Sequence, residues 1–436
     1  MTSSITRPGR SRSCNAQRTR LHAIVLTILA LAVTLLFGRA SCEVDPLDCG
    51  DFEDNDGIVH TPGTPVCSAQ DRQALLAFKS SISSDPNHAL ADWQASIRNC
   101  CSWNGVTCDG ATGRVVRLKL YNQNLKGTLS PKLSGLSSLR VLHLDNNDFS
   151  GSIPSSFGSF GKLQRLCLSV NPSLSGPIPE SFGQLRSLQL MDLRSNSLSG
   201  PLPGSFGKMS NLRKIHLYGN KITGPIPPSF GRLSKLYNAG LSSNQISGRV
   251  PDAFGHALSS LEFLFLGNNS ITGLPADLRN LTRLQWLELS NNPIVHGDAV
   301  AGIATLPLIV GIELNSCQLS GPFPTWVARL PQPNTNLVSD DVTPSLNLGN
   351  NAISGSIPSA VGKLTYLEYL RLENNKLTGP IPASFAQLQN LRGFNVSYNQ
   401  LSGRIPQMKP FTTFGKSAYT PGNPRLCGLP LKPCKK

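Results

Sequence analysis

The sequence predicts an α/β solenoid, a single stack of short coils, and three observations predict it. First, the chain repeats itself. The frame of residues 367–390 (LEYLRLENNKLTGPIPASFAQLQN) recurs at Leu188, at Leu212 and again at Leu391, with a spacing of 24 residues. A fixed period in that range marks a repeat architecture. Second, Leu370 and Leu372 flank Arg371, which is strand alternation with two side chains inward and one outward. Third, each frame continues through Asn375, Leu377, Gly379, Ile381 and Pro382. The Asn375 amide is able to donate and accept between adjacent coils. Gly379 tolerates a tight bend, and Pro382 omits a donor where the chain turns away from the strand. One coil alone leaves its apolar row and strand edges open, so coils must stack.

Written as LxxLxLxxNxLxGxIPxxfgxLxx, these residues resemble the plant-specific class of leucine-rich repeat. The resemblance implies a right-handed superhelix with a parallel sheet on the concave side. Twelve repeats, starting near 115, 139, 163, 188, 212, 236, 261, 284, 309, 343, 367 and 391, fill residues 115–406. Repeat eight lacks the Gly-x-Ile-Pro element after Asn292. Repeat nine carries about ten extra residues, 331–341, read as a surface loop.

Residues 1–42 read as a signal peptide. Arg7, Arg10, Arg12, Arg18 and Arg20 precede the apolar run 23–38. That run has 16 residues, short of the roughly 20 that a membrane helix needs. Ala40 and Ser41 fit a cleavage site. An uncleaved N-terminal membrane anchor is the alternative. Residues 43–64 follow as an acidic linker. Within it, residues 43–56 hold seven acids and no basic residue. Cys49 pairs with Cys42 if that residue survives cleavage, and is otherwise unpaired.

The N-terminal cap spans 65–114. Leu75, Phe78 and Ile82 share one helical face, predicting a helix over 70–82. Cys67 and the run 100–108 (CCSWNGVTC) resemble the plant leucine-rich-repeat N-terminal domain. The resemblance implies disulfides Cys67–Cys100 and Cys101–Cys108. A small cap over an apolar end coil, in an oxidising compartment, needs such staples. Residues 407–436 form the C-terminal cap. Phe411, Phe414, Tyr419, Gly422-Asn423-Pro424 and Cys427 to Cys434 resemble the cap of plant receptor-like proteins, which implies a Cys427–Cys434 disulfide. A membrane helix follows in those receptors. Here the chain stops two Lys later, which argues against membrane attachment there.

Net charge is +15, and residues 57–436 carry 34 Lys and Arg against 18 Asp and Glu, net +16. That balance suits solubility, or an anionic partner such as a pectic polysaccharide or an acidic protein. Nucleic acid is not a partner for an exported chain. No catalytic machinery is present. There is no kinase catalytic-loop signature or phosphate-binding glycine loop. The seven His form no close ligand pair. No metal or cofactor is implied. Cys317 replaces the Asn of its repeat and is structural, while Cys167 faces the concave side as a shielded thiol.

Function is therefore expected on the outward positions of the concave sheet. Repeats one to five offer Arg117, Lys119, Arg140, Arg165, Arg194, Arg213 and Lys214, with His143, His216 and Tyr218, against Asp145 and Asp192. Repeats six to twelve offer Tyr237, Phe263, Phe265, Trp286 and Tyr369 among Glu262, Glu288, Glu313, Glu368 and Glu373, against Arg371 and Arg392. The face should run from basic to acidic, with exposed aromatics in the middle, as binding hot spots do. Lys119, Arg140, His143, Arg165, Arg213, His216, Tyr218, Phe263, Phe265, Trp286, Glu288 and Tyr369 are the candidate ligand-binding residues. Sequons at Asn268, Asn280 and Asn395 predict glycosylation of an exported protein.

By resemblance, the chain is expected to be a secreted or cell-wall protein, receptor-like but without a kinase, that binds a protein or peptide ligand in signalling or defence. Its partner would be a receptor kinase or a cell-wall-degrading enzyme. One alternative is an inhibitor of the polygalacturonase-inhibiting type. The other is a structural binder of wall polysaccharide.

Overall fold

The computed structural model describes Cys49, residues 66–339 and residues 342–434. The signal segment 1–42 and, apart from Cys49, the acidic linker 43–64 lie outside the described residues.

A 13-stranded sheet runs the length of the solenoid, from Val106–Cys108 to Gly393–Asn395. Its first pair is antiparallel, since Val106–Cys108 belongs to the cap, and the pairs after it are parallel. The Leu residues that set the period face inward and are buried along the whole stack. Each such side chain is worth about 1.5–3 kcal/mol of burial.

A second row of strands flanks the first, an element that the repeat frame did not predict. It is divided in two. Eight strands run from Ile82–Ser84 to Ser270–Gly273, and five run from Ser320–Pro322 to Arg425–Cys427. The break falls at repeat eight, where Gly-x-Ile-Pro is missing; there His296 forms an isolated bridge to Ser320, and Leu274 N–H donates to the Ala299 carbonyl. Gly379 shows why the motif matters. Its φ is +75° while an added Cβ would meet only ordinary contact, so backbone conformation, not space, requires glycine there.

The chain returns to the next strand through short 3₁₀ turns such as Ser155–Ser159 and Ala383–Gln387. Phe157, Phe182, Phe206, Phe230 and Phe385 enter the core from these turns.

The Asn of each frame ties coils together. Asn147 Nδ2 donates to the carbonyls of Leu120 (2.8 Å) and Leu144 (2.9 Å). Its Oδ1 accepts from Leu125 N–H at 2.9 Å. Cys317 holds the same place with its thiol on the Leu289 carbonyl, 3.2 Å away.

Both ends are closed. The cap helix is Ala69–Lys79, shorter than the expected 70–82. Ile82 opens a strand instead, pairing antiparallel with Gly127, because the first flanking strand needs an edge partner. Cys67 is joined to Cys100 and Cys101 to Cys108. Buried Asp71 receives two hydrogen bonds from Arg114 and one from Val115 N–H. At the other end Phe411, Phe414 and Tyr419 pack on Phe394. Asn423 supplies the last rung, accepting from Leu401 N–H at 2.8 Å. Cys427 is joined to Cys434. Among the described residues no helix is long and apolar enough to cross a membrane.

Candidate functional site

Strand register arranges the outward side chains of the concave sheet in rows that run across the repeats. One row reads Arg117, Val141, Arg165, Leu190, Lys214, Asn238, Phe263, Trp286, Gly311, Ser345, Tyr369 and Gly393. The row beside it runs from Lys119 through His143, Cys167, Asp192, His216, Gly240, Phe265, Glu288, Glu313 and Asn347 to Arg371 and Asn395. Arg140, Arg213, Tyr237, Glu262 and Glu368 stand one residue before the strands, and Asp145, Arg194, Tyr218 and Glu373 stand beyond them. The candidate residues thus share one surface.

In the basic half, polar side chains are knitted together. The Tyr121 ring stacks on His143 at 4.4 Å, and His143 Nε2 is 3.1 Å from Asp145. Arg194 bridges Asp192 (3.2 Å) and the Tyr218 hydroxyl (3.1 Å). Lys214 lies over the Tyr237 ring.

Cys167 corrects the sequence reading. It is not a shielded free thiol but is joined to Cys49, which pairs neither with Cys42 nor stays single. The sequence held a signal for this. An outward Cys that the cap disulfides leave over is a candidate for pairing with another leftover Cys. Cys49 and Cys167 are 118 residues apart, so nothing local linked them.

The middle of the face is aromatic. Phe263 and Trp286 are register neighbours. The Phe263 and Phe265 rings are nearly parallel, with centroids 6.4 Å apart. These rings are half-buried, not exposed as expected. Trp286 leans along the sheet over Gly311, where an added Cβ would meet its ring at 2.1 Å. Tyr369 lies over Gly393 in the same way.

Beyond the aromatics the acids are less charged than a count of Glu implies. Glu288 accepts from Gly267 N–H (2.7 Å), Ser290 N–H (3.0 Å) and the Ser242 hydroxyl (3.0 Å). Burial still outweighs these bonds and, with Glu313 nearby, holds its carboxyl up at about 7. Glu313, bonded to the Ser345 hydroxyl and the Asn347 amide, is pushed up by burial as well. Glu262 and Glu368 are paired with Arg283 and Arg392.

The described residues of the inserted loop of repeat nine are exposed or half-buried, and one bond ties the loop to the sheet. Ser339 N–H donates to Gln285 Oε1 at 2.8 Å, which seats the loop at the sheet edge next to Trp286. Residues 340 and 341 lie outside the described set. Asn268 and Asn280 are exposed, and Asn395 is half-buried on the concave row with its Oδ1 bonded to Ser397.

Residues 68–109 match the leucine rich repeat N-terminal domain, and residues 137–198, 173–222, 186–246, 234–294 and 344–401 match the leucine rich repeat. Protein MALE DISCOVERER 2 of Arabidopsis thaliana is 49% identical over 92 residues, 21% of this chain and 13% of that protein. The crystal structure of PEPR1–AtPEP1 superposes with a TM-score of 0.64 at 31% identity, over 78% of this chain and 50% of that one. The Arabidopsis receptor kinase HAESA, solved with the peptide hormone IDA and the co-receptor SERK1, gives 0.64 at 32% identity, over 78% and 55%. The chain therefore spans about half the length of these solved chains and 13% of the curated relative.

Proposed function

Because this chain belongs to the plant-type leucine-rich-repeat proteins, we propose that it is a receptor-like binding protein, without catalytic activity of its own, that holds a protein or peptide ligand on its concave face outside the cell. One observation carries the proposal. Phe263, Trp286 and Phe265 come from two adjacent strands, with Tyr237, the buried Glu288 and the half-buried Glu313 alongside. Rigid aromatics set in a polar surround contribute large contact area at low entropic cost. The inserted loop is tied by Ser339 to Gln285, the residue before Trp286. A role in signalling, with a receptor kinase as co-partner, is supported by the likeness to HAESA, which was solved with a peptide hormone and a co-receptor; a role in defence is the other reading we keep.

The test compares the secreted chain with a Phe265→Ala/Trp286→Ala variant. Both are offered an extracellular peptide and protein pool, and captured partners are identified by mass spectrometry. A defined partner held by the native chain and lost by the variant, with melting temperature unchanged, supports the proposal. Equal capture by both forms overturns it. Retention of pectin alone, released by salt, would point to a wall polysaccharide binder. Inhibition of pectin hydrolysis by the captured enzyme would point to an inhibitor of the polygalacturonase-inhibiting type.

A further inference from the structure

Cys49 is joined to Cys167, and Cys167 stands on an outward row of the concave sheet, between His143 and Asp192. The disulfide therefore fixes one point of the N-terminal stretch on the concave face, and not on the cap. Cys49 Sγ, Cys167 Sγ and a carboxylate oxygen of Asp145 all lie within 4.8 Å of one another.

The surroundings of this anchor are basic. Arg117, Lys119, Arg140, Arg165, Arg194 and Lys214 belong to its own strand, to the two strands on each side of it, or to residues next to them. The two acids among them are already engaged. Asp145 faces His143 and accepts from Ser169 N–H, and Asp192 holds Arg194. By contrast, residues 45–56, which bracket Cys49, hold six acids and no basic residue.

Burial adds an independent observation. Arg117 and Lys214 stand on the outward row, yet they are 3% and 4% exposed. Lys and Arg are almost never buried to this degree unless they are paired.

We propose that residues 45–56 dock in cis on the basic half of the concave face, anchored through Cys49–Cys167, so that the chain carries its own acidic occupant for that surface. The charges are complementary, and the anchor lies inside the docking segment. A tether this short gives an effective concentration on the order of millimolar. An external acidic partner must compete with it, and a face occupied about 90% of the time weakens that partner about tenfold. The aromatic patch lies four strands further along the sheet, so this inference does not depend on the ligand proposed above.

Two measurements test it on the full secreted chain. Peptide mapping without reduction should recover residues around Cys49 linked to those around Cys167, and recovery of Cys49 in any other state overturns the proposal. The second probe is a fluorescein-labelled synthetic peptide of residues 45–56, with Cys49→Ser, added in trans. It is titrated against the native chain and against a full chain carrying Asp45→Asn, Asp48→Asn, Asp51→Asn, Glu53→Gln, Asp54→Asn and Asp56→Asn. These substitutions lie outside the repeats and leave Cys49 in place. The neutralised chain should bind the probe about tenfold more tightly than the native chain, and lose it at high salt. Equal binding by both chains, or none by either, overturns the proposal. Adding Lys119→Glu and Arg140→Glu to the neutralised chain should abolish binding, and retained binding would put the contact elsewhere and overturn it too.

Discussion

Asn220 holds two coils together with one buried amide. Its Nδ2 donates to the carbonyls of Leu193 and Leu217, both at 2.9 Å, and its Oδ1 accepts from Leu198 N–H at 3.0 Å. Asn220→Ala strands all three groups, at about 1–3 kcal/mol each when fully buried. A loss of about 2–4 kcal/mol is expected in urea unfolding, less than the sum because neighbouring groups relax. Cys317→Ala should cost clearly less, since a thiol is a weak donor and its bond to Leu289 is the longer one, 3.2 Å. Equal costs would show that the ladder is not what stabilises the turn. Glu288 makes a different prediction. Its carboxyl titrates at about 7 in the fold, against 4.5 for an ordinary glutamate. The native state therefore binds the proton more tightly than the unfolded one. The contribution of Glu288 to stability is full below about pH 4.5 and falls as pH rises toward 7, by roughly 3 kcal/mol over that window. Glu313 is shifted in the same direction and adds to the slope. Glu288→Gln should flatten the fall in melting temperature between those two pH values. A native chain whose melting temperature is level across the window would refute the assignment.

At the scale of the strand, what one residue does depends on its register neighbour. Trp286 is half-buried only because Gly311 leaves room for its ring. The other three tryptophans, Trp93, Trp103 and Trp326, are buried. Acrylamide quenching of fluorescence therefore reports mainly on Trp286. Gly311→Ala should push the ring off the sheet and raise the quenching constant, while the far-ultraviolet circular dichroism stays the same. Unchanged quenching would mean that the ring is not held by that contact. This dependence also explains how far the elements were legible. The strand positions, the inward Leu rows, the Asn rungs and the outward rows all follow from a 24-residue frame, because one period dictates them. Trp286 lying flat was not legible, since its cause is a glycine 25 residues later. The Cys49–Cys167 link was equally hidden, because 118 residues separate its ends. Ser339 reaching Gln285 depends on how an insertion settles, and an insertion breaks the frame that makes the rest readable. The raised carboxyl of Glu288 needed burial that sequence alone does not measure.

The whole solenoid is a sum of coils and the interfaces between them, so its weakest interface decides where it opens. The concave sheet is continuous through repeat eight, with Trp286–Glu288 pairing with Gly311–Glu313 and the latter with Ser345–Asn347. The flanking sheet is not. It stops at Ser270–Gly273 and resumes at Ser320–Pro322, with a 3₁₀ segment, Gly297–Thr305, turning the chain between them. Next to this break stands the inserted loop. Its described part is held by few bonds, among them Ser339 to Gln285 and Gln332 to the Lys363 carbonyl, and Leu337 is 62% exposed. Segments with few buried contacts open at little cost, and exposed loops are where proteases cut first. Limited digestion with a nonspecific protease should therefore nick residues 331–339 before any site in the repeats. The two fragments should stay together under native conditions, because the strands on both sides remain hydrogen-bonded and share one apolar core. They should separate in urea below the midpoint of the intact chain, since the nick removes the covalent link and leaves only the pairing of Gly311–Glu313 with Ser345–Asn347, that of Ser320–Pro322 with Ala352–Ser356, and the core between those coils to join them. A first cut inside a regular repeat would show that the inserted loop is not the most easily opened segment, and fragments that part without denaturant would show that the paired strands on both sides of the cut do not hold the molecule together.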